Sequence, residues 1–122
     1  MTTATTWRKE RGRETERLVA AYLRANGWPY AEPVGAGRPG ADITGTPGVH
    51  FEVKATKSCE PLAWLRQIGA CLGDTTDPPA AAIWRPDGFG PASIRSFPVI
   101  TDLDTYVGLL RRVGYGGRDA DQ

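Results

Sequence analysis

HFEVKAT, residues 50–56, is the stretch that most restricts what this chain can become. Side chains alternate along a strand, so Phe51, Val53 and Ala55 share one face while His50, Glu52, Lys54 and Thr56 share the other. The first face reads as core. The second sets a carboxylate and an ammonium two residues apart in a strand that its apolar neighbours would bury, and buried charge is costly unless paired or used. Any fold for this sequence must give that face either partners or a task.

The elements around it follow from local pattern. RETERLVAAYLRAN, residues 13–26, has helical spacing, with Leu18, Val19, Tyr22, Leu23 and Ala25 on one arc and Glu16 at its margin. Gly27 supplies a left-handed stop, after which Trp28 can fold back on the last turn. Arg13, Arg17 and Arg24 form a row on the adjoining polar face, to be read either as a phosphate-facing edge or as a solvated surface. An extended stretch, 29–34, leads into a glycine-rich loop from Gly35 to Gly40 and then to Asp42. The loop matches neither a P-loop nor GxGxxG, so no nucleotide cofactor is expected.

ADITG and VHFEVKAT read as two short strands around a Thr46-Pro47-Gly48 turn. Residues 60–72 read as a helix with Pro61 in its first turn and Leu62, Leu65, Ile68 and Leu72 inward. A polar linker, 74–79, precedes the buried strand AAAIW, and a turn at 86–90 with ASIRSF completes a hairpin. Thr101 or Asp102 caps a last helix whose apolar stripe is Leu103, Tyr106, Val107, Leu110 and Val113. Trp64, Trp84, Phe89 and Phe97 fit the core, a surface that stacks on bases or a dimer interface; core is the default for apolar aromatics in a small domain, and the four carry no assignment. The expected class is α/β, a mixed central sheet flanked by helices in the order α-β-β-β-α-β-β-α. One domain spans 1–115, with a disordered tail over 116–122.

Composition removes several alternatives. The N-terminus has no apolar stretch after its basic residues, and no run of roughly 18 apolar residues occurs anywhere, so a signal peptide and a membrane span are not expected and the location reads as cytoplasmic. Cys59 and Cys71 belong to no CxxC pair, which argues against zinc and against a disulfide scaffold. A formal net charge of +1 does not announce a nucleic-acid binder, yet residues 7–24 hold six basic residues against three acids.

A metal cleft would give the charged face its task. Phosphodiester hydrolysis uses a hard cation, Mg²⁺ or Mn²⁺, that takes carboxylate oxygens, polarises the phosphate and makes hydroxide available near neutral pH. A lysine beside it orients or deprotonates the water and offsets charge on phosphorus. Asp42, Glu52 and Lys54 supply that set, with Glu16 and Gln67 on the helices before and after. His50 shares the face, and its place at a strand end reads as surface.

GAD followed by FEVK, after a helix carrying Glu16, resembles the PD-(D/E)xK nuclease superfamily. GRETERLVAAYLRANGW is similar to the opening helix of archaeal-type Holliday junction resolvases, with Gly12, Glu16 and Gly27-Trp28 holding the places of that family's glycine, glutamate and closing Gly-Phe. The resemblance covers about residues 8–70 and departs at Pro39, which stands three residues ahead of Asp42. It implies a restriction-endonuclease-like fold, with Glu16, Asp42 and Glu52 as acidic metal-site residues and Lys54 as catalytic lysine. It also implies that the Val53 carbonyl completes the coordination of Mg²⁺ or Mn²⁺ and that Gln67 supports the site. Arg13, Arg17, Arg38 and Lys57 are the expected DNA contacts, the substrate a four-way junction in recombination or repair, and the working form a homodimer matching the junction's two-fold symmetry. Two other readings stand beside it. One is a nuclease of the same superfamily acting on duplex, flap, restriction or repair substrates; the other is a catalytically silent DNA-binding module of the same fold.

Overall fold

Helix formation begins earlier than the apolar pattern indicates. The structure, a computed structural model, describes residues 4–35, 40–72 and 78–117, and its first helix, α1, runs Ala4–Ala25. Of the additional N-terminal turns, Thr6 to Glu10 are exposed and Trp7 stands alone as a large apolar side chain, so hydrophobic period gives no sign of them. The helix ends as expected: Gly27 takes φ 119° and the Trp28 N–H donates to the Leu23 carbonyl at 2.9 Å.

The buried stripe of α1 differs from the expected arc. Thr15, Val19, Ala20 and Leu23 face inward, while Tyr22 and Ala25 are exposed. At about 100° per residue the stripe is rotated by roughly 70°. That rotation sets Glu16 between Leu23 and Ala20, within the packed side of the helix.

Among the described residues, the strands form two small sheets instead of one. β1 (Glu32–Pro33) pairs antiparallel with β2 (Ile43–Thr44). β3 (His50–Lys54) pairs parallel with β4 (Ala80–Trp84), which pairs antiparallel with β5 (Val99–Ile100), in the order β3-β4-β5. The parallel pair needs a crossover, and α2 (Pro61–Leu72) provides it. α3 (Leu103–Arg112) closes the described fold, and the element order is the expected one with a 3₁₀ segment between β4 and β5. The sheets meet at the free edge of β3, where the Asp42 N–H donates to the Phe51 carbonyl at 3.0 Å. Gly45, at φ 77°, makes the close approach possible after β2, since a Cβ there would collide with the Tyr30 carbonyl oxygen.

Each face of β3 has its own helix. Val53 and Ile83 pack with Val19, Ala20 and Leu23 of α1, together with Ile43 and Phe97. Ala82, opposite Glu52 in the register, packs with Trp64 and Ile68 of α2. The even-numbered, charged face of β3 therefore lies on the α2 side. Leu62, expected inward on α2, is 65% exposed, and Trp64 takes its place.

One further expectation changes at the C-terminal end, and the choice between two caps for the last helix is resolved there. ASIRSF is not a strand: Pro91–Ser96 is a 3₁₀ helix with Pro in its first turn. Ile94 and Phe97, three apart, turn the same way in such a helix and both reach the core. Asp102 caps α3, its Oδ1 accepting from the Thr105 N–H at 2.8 Å, while the Thr101 hydroxyl donates to the Ala80 carbonyl at 2.7 Å. The stripe of α3 faces outward, with Leu103 77%, Tyr106 54% and Val113 72% exposed. Of the expected tail, residues 118–122 lie outside the described residues, as do 74–77 of the expected linker. Among the described residues, no helix is long and apolar enough to cross a membrane.

Arg85 is a structural residue that no local pattern announces. It is buried after β4, donating from Nε to the Phe89 carbonyl at 2.7 Å and from Nη1 to Glu14 at 3.0 Å and the Thr15 hydroxyl at 3.2 Å. It thus ties the 86–90 turn to α1. Arg85→Met is expected to lower the unfolding free energy by roughly 2–4 kcal/mol, because charge-assisted bonds disappear and the acceptors stay behind. A urea titration reads this as a lower midpoint at unchanged slope.

Candidate functional site

The site is built where Asp42 meets the free edge of β3. In a strand, a residue's N–H and C=O point to the same edge, and successive residues alternate edges. Odd-numbered β3 residues turn away from β4: Phe51 O accepts from the Asp42 backbone, and the Val53 N–H donates to Asp42 Oδ2 at 2.7 Å. The Asp42 carboxylate therefore continues a ladder that β2 leaves unfinished. The Val53 carbonyl oxygen faces the same edge.

Glu52 lies beside this edge on the α2 side and is 4% exposed. Its carboxyl is pushed up to about 8, first by burial, then by a side-chain hydrogen bond with Asp42 and by the Asp42 charge; Lys54 opposes the rise and Glu16 adds to it. Glu16, on the α1 side, is raised above the usual carboxylate range by burial and then by Asp42, with Arg13 and Arg17 opposing. Asp42 thus links the carboxyls of two helix layers around one strand edge. Among the described residues, no group of three or more His, Cys, Asp and Glu side chains is arranged to hold a metal ion.

Lys54 makes no ion pair with Glu52 among the described residues. Its ammonium donates to Gln67 Oε1 on α2 at 2.5 Å. Gln67 lies one residue before buried Ile68 and three after buried Trp64, so the packing of α2 fixes where its amide stands. His50, expected at the surface, is buried, and its Nε2 lies 3.3 Å from Glu52 Oε1. Burial holds the imidazole pKa below its ordinary value against the charge of Asp42.

Arg13 and Arg17 are exposed on α1 beside Glu16. Arg24 leaves that row, donating to the Ala31 carbonyl at 2.6 Å and so fastening the turn after the helix. Arg38 lies outside the described residues. Lys57 and Lys54 line a groove of about 650 Å³ between the N-terminal half of α1 and the turn after β3, with Trp7, Arg8 and Gly12 on its other wall. Trp7 was not legible as a site residue, because the helix turn that carries it has no apolar period. No family model, curated protein or solved structure matches the chain.

Proposed function

We propose that this chain is a metal-dependent endodeoxyribonuclease of the PD-(D/E)xK type, with a restriction-endonuclease-like fold, that resolves four-way DNA junctions in recombination or repair. The observation that carries the reading is the free edge of β3, where Asp42 is locked on the Val53 N–H beside Glu52 and Lys54 is held by Gln67. A carboxyl with its pKa near 8 next to another acid has an unmet need for positive charge. Two carboxylates, a carbonyl and water suit Mg²⁺ or Mn²⁺, which seldom takes an all-protein cage. Asp42, Glu52 and the Val53 carbonyl would hold such an ion, with Glu16 reaching it through water. The ion, when bound, supplies positive charge for the phosphate and acidity for a water.

The remaining work falls to the chain. Lys54 orients the attacking water and balances charge on the phosphate, and Gln67 keeps its ammonium at that station. Arg13, Arg17 and Lys57 meet backbone phosphates. A module that merely bound DNA would have no use for a buried carboxyl that costs stability at neutral pH. The exposed stripe of α3, with Val99 at 61% exposure beside it, supports a homodimer across this side of the molecule.

The test is a labelled four-way junction and a matched duplex, each with Mg²⁺ and with EDTA, resolved on a denaturing gel. Paired, metal-dependent cuts in opposing junction strands are expected, from a protein at twice its monomer mass. Equal cutting of both substrates keeps the nuclease and discards the junction. No cutting of either, with Mn²⁺ also tried, rejects the catalytic reading.

A further inference from the structure

The groove beside Lys54 has features that phosphate chemistry alone does not require. Trp7 stands on its wall 56% exposed, a large aromatic left in water within a concave surface. Its ring is supported: the Arg11 guanidinium carbon lies 5.9 Å from the ring centroid, and Arg11 is itself anchored on the Pro86 carbonyl at 3.1 Å. The facing turn is fixed as well, with the Trp84 indole N–H donating to the Thr56 carbonyl at 2.8 Å and the Thr56 hydroxyl to the Ser58 carbonyl at 2.9 Å. Gly12 leaves the wall open beside Trp7, and a Cβ there would meet nothing within 4 Å.

Charge favours an anion. Arg8, Lys54 and Lys57 line the groove against Glu60 and Asp87, and Asp87 lies 3.9 Å from Arg11. The volume, about 650 Å³, falls in the range of pockets that enclose a small organic ligand. A base within a duplex shows only its edges in the grooves, whereas an unpaired base offers a face on which an aromatic ring can stack.

We infer that this groove receives an unpaired nucleotide, its base stacked on Trp7 and its phosphates against Arg8 and Lys57, immediately beside Lys54. The inference deepens the nuclease reading and rests on it for the nucleotide's place next to the cleaved bond; the groove's occupancy is measured without cleavage. Substrates are then selected for a nucleotide that has left the stack, as at a junction crossover, a gap or a flap.

The test measures anisotropy of a labelled duplex carrying a short single-stranded gap and of the same duplex fully paired, both in EDTA. Trp7→Ala is expected to weaken gap binding by about 5- to 100-fold while leaving the paired duplex unchanged, and Trp7→Phe to restore most of the loss. Gly12→Leu, which fills the wall without touching the core, is expected to act like Trp7→Ala with its circular dichroism unaltered. Equal losses on both substrates, or none on either, overturn the inference. Gap binding that depends on Trp7 in a protein that cuts nothing upholds the groove and rejects the nuclease, so the two failures are distinguishable.

Discussion

Single-turnover cleavage by the Lys54→Ala protein is expected to fall by about 10²–10⁴-fold, with DNA affinity and thermal stability close to the parent's. Lys54 is half-buried and, among the described residues, its ammonium is hydrogen-bonded to the exposed Gln67, so the fold loses little when it goes. Gln67→Ala should show a smaller fall in rate at unchanged affinity, and Gln67→Glu, which keeps an acceptor for the ammonium, should recover much of it. Asp42 needs more care. Asp42→Asn keeps an oxygen for the Val53 N–H and removes the charge, so it should fold and not cut. Asp42→Ala also strips a partner from that N–H, at about 1–3 kcal/mol, and would confuse lost chemistry with lost structure. If Lys54→Ala cuts as fast as the parent, the mechanism is wrong.

The second large effect is on stability, and its sign follows from Glu52. The carboxyl is raised from 4.5 to about 8 in the folded protein. The native state therefore holds a proton that the unfolded chain has released. The stabilisation is complete below pH 4.5 and is lost as pH rises through about 8, at up to roughly 1.4 kcal/mol per pH unit. Glu16, raised by the same kinds of cause, slopes the same way. His50 runs oppositely: its pKa is lowered from 6.5, so its contribution is whole above 6.5 and lost as pH falls through the lowered value. The window from pH 6.5 to 8 thus isolates the carboxyls.

Melting in EDTA should fall steeply across that window for the parent and much less for Glu52→Gln, with the variant the more stable at pH 9. Mg²⁺ should lift the parent's curve at pH 8 and release protons as it binds, and should do neither for the variant. A parent whose stability is flat from pH 6.5 to 8 would remove the buried acid pair from the argument.

How much of this was legible in the chain depended on the range of the forces involved. The strand His50–Lys54, the Gly27 stop and the Asp102 cap are written in adjacent residues, and local pattern finds them. The phase of a helix against its neighbours is not local. Leu18, Tyr22 and Ala25 look as apolar as Val19 and Leu23, and only the position of β3 decides that Thr15 and Ala20 turn inward. The same ambiguity exchanged Leu62 for Trp64 on α2. ASIRSF reads as a hairpin strand from the turn signal before it, whereas Pro91 fixes a first 3₁₀ turn that sends Ile94 and Phe97, three apart, to the same side. Asp42, Glu52, Lys54 and Gln67 were singled out for their chemistry, and it took the structure to reveal that Asp42 finishes a ladder and that Gln67 holds Lys54. Arg85 reaches Glu14 and Thr15, and Trp7 faces the turn after β3, across long separations in sequence, and nothing beside either residue announces those distant contacts.

The double duty of Asp42 bears on how such a site would decay under mutation. Lys54 and Gln67 can be replaced with little penalty to folding, so a lineage released from selection for cutting would lose them early. Asp42 completes hydrogen bonding along a strand edge whether or not anything is cut. In an inactive descendant of this chain, the aspartate would be the last member of the site to disappear, and its survival alone would say nothing about activity.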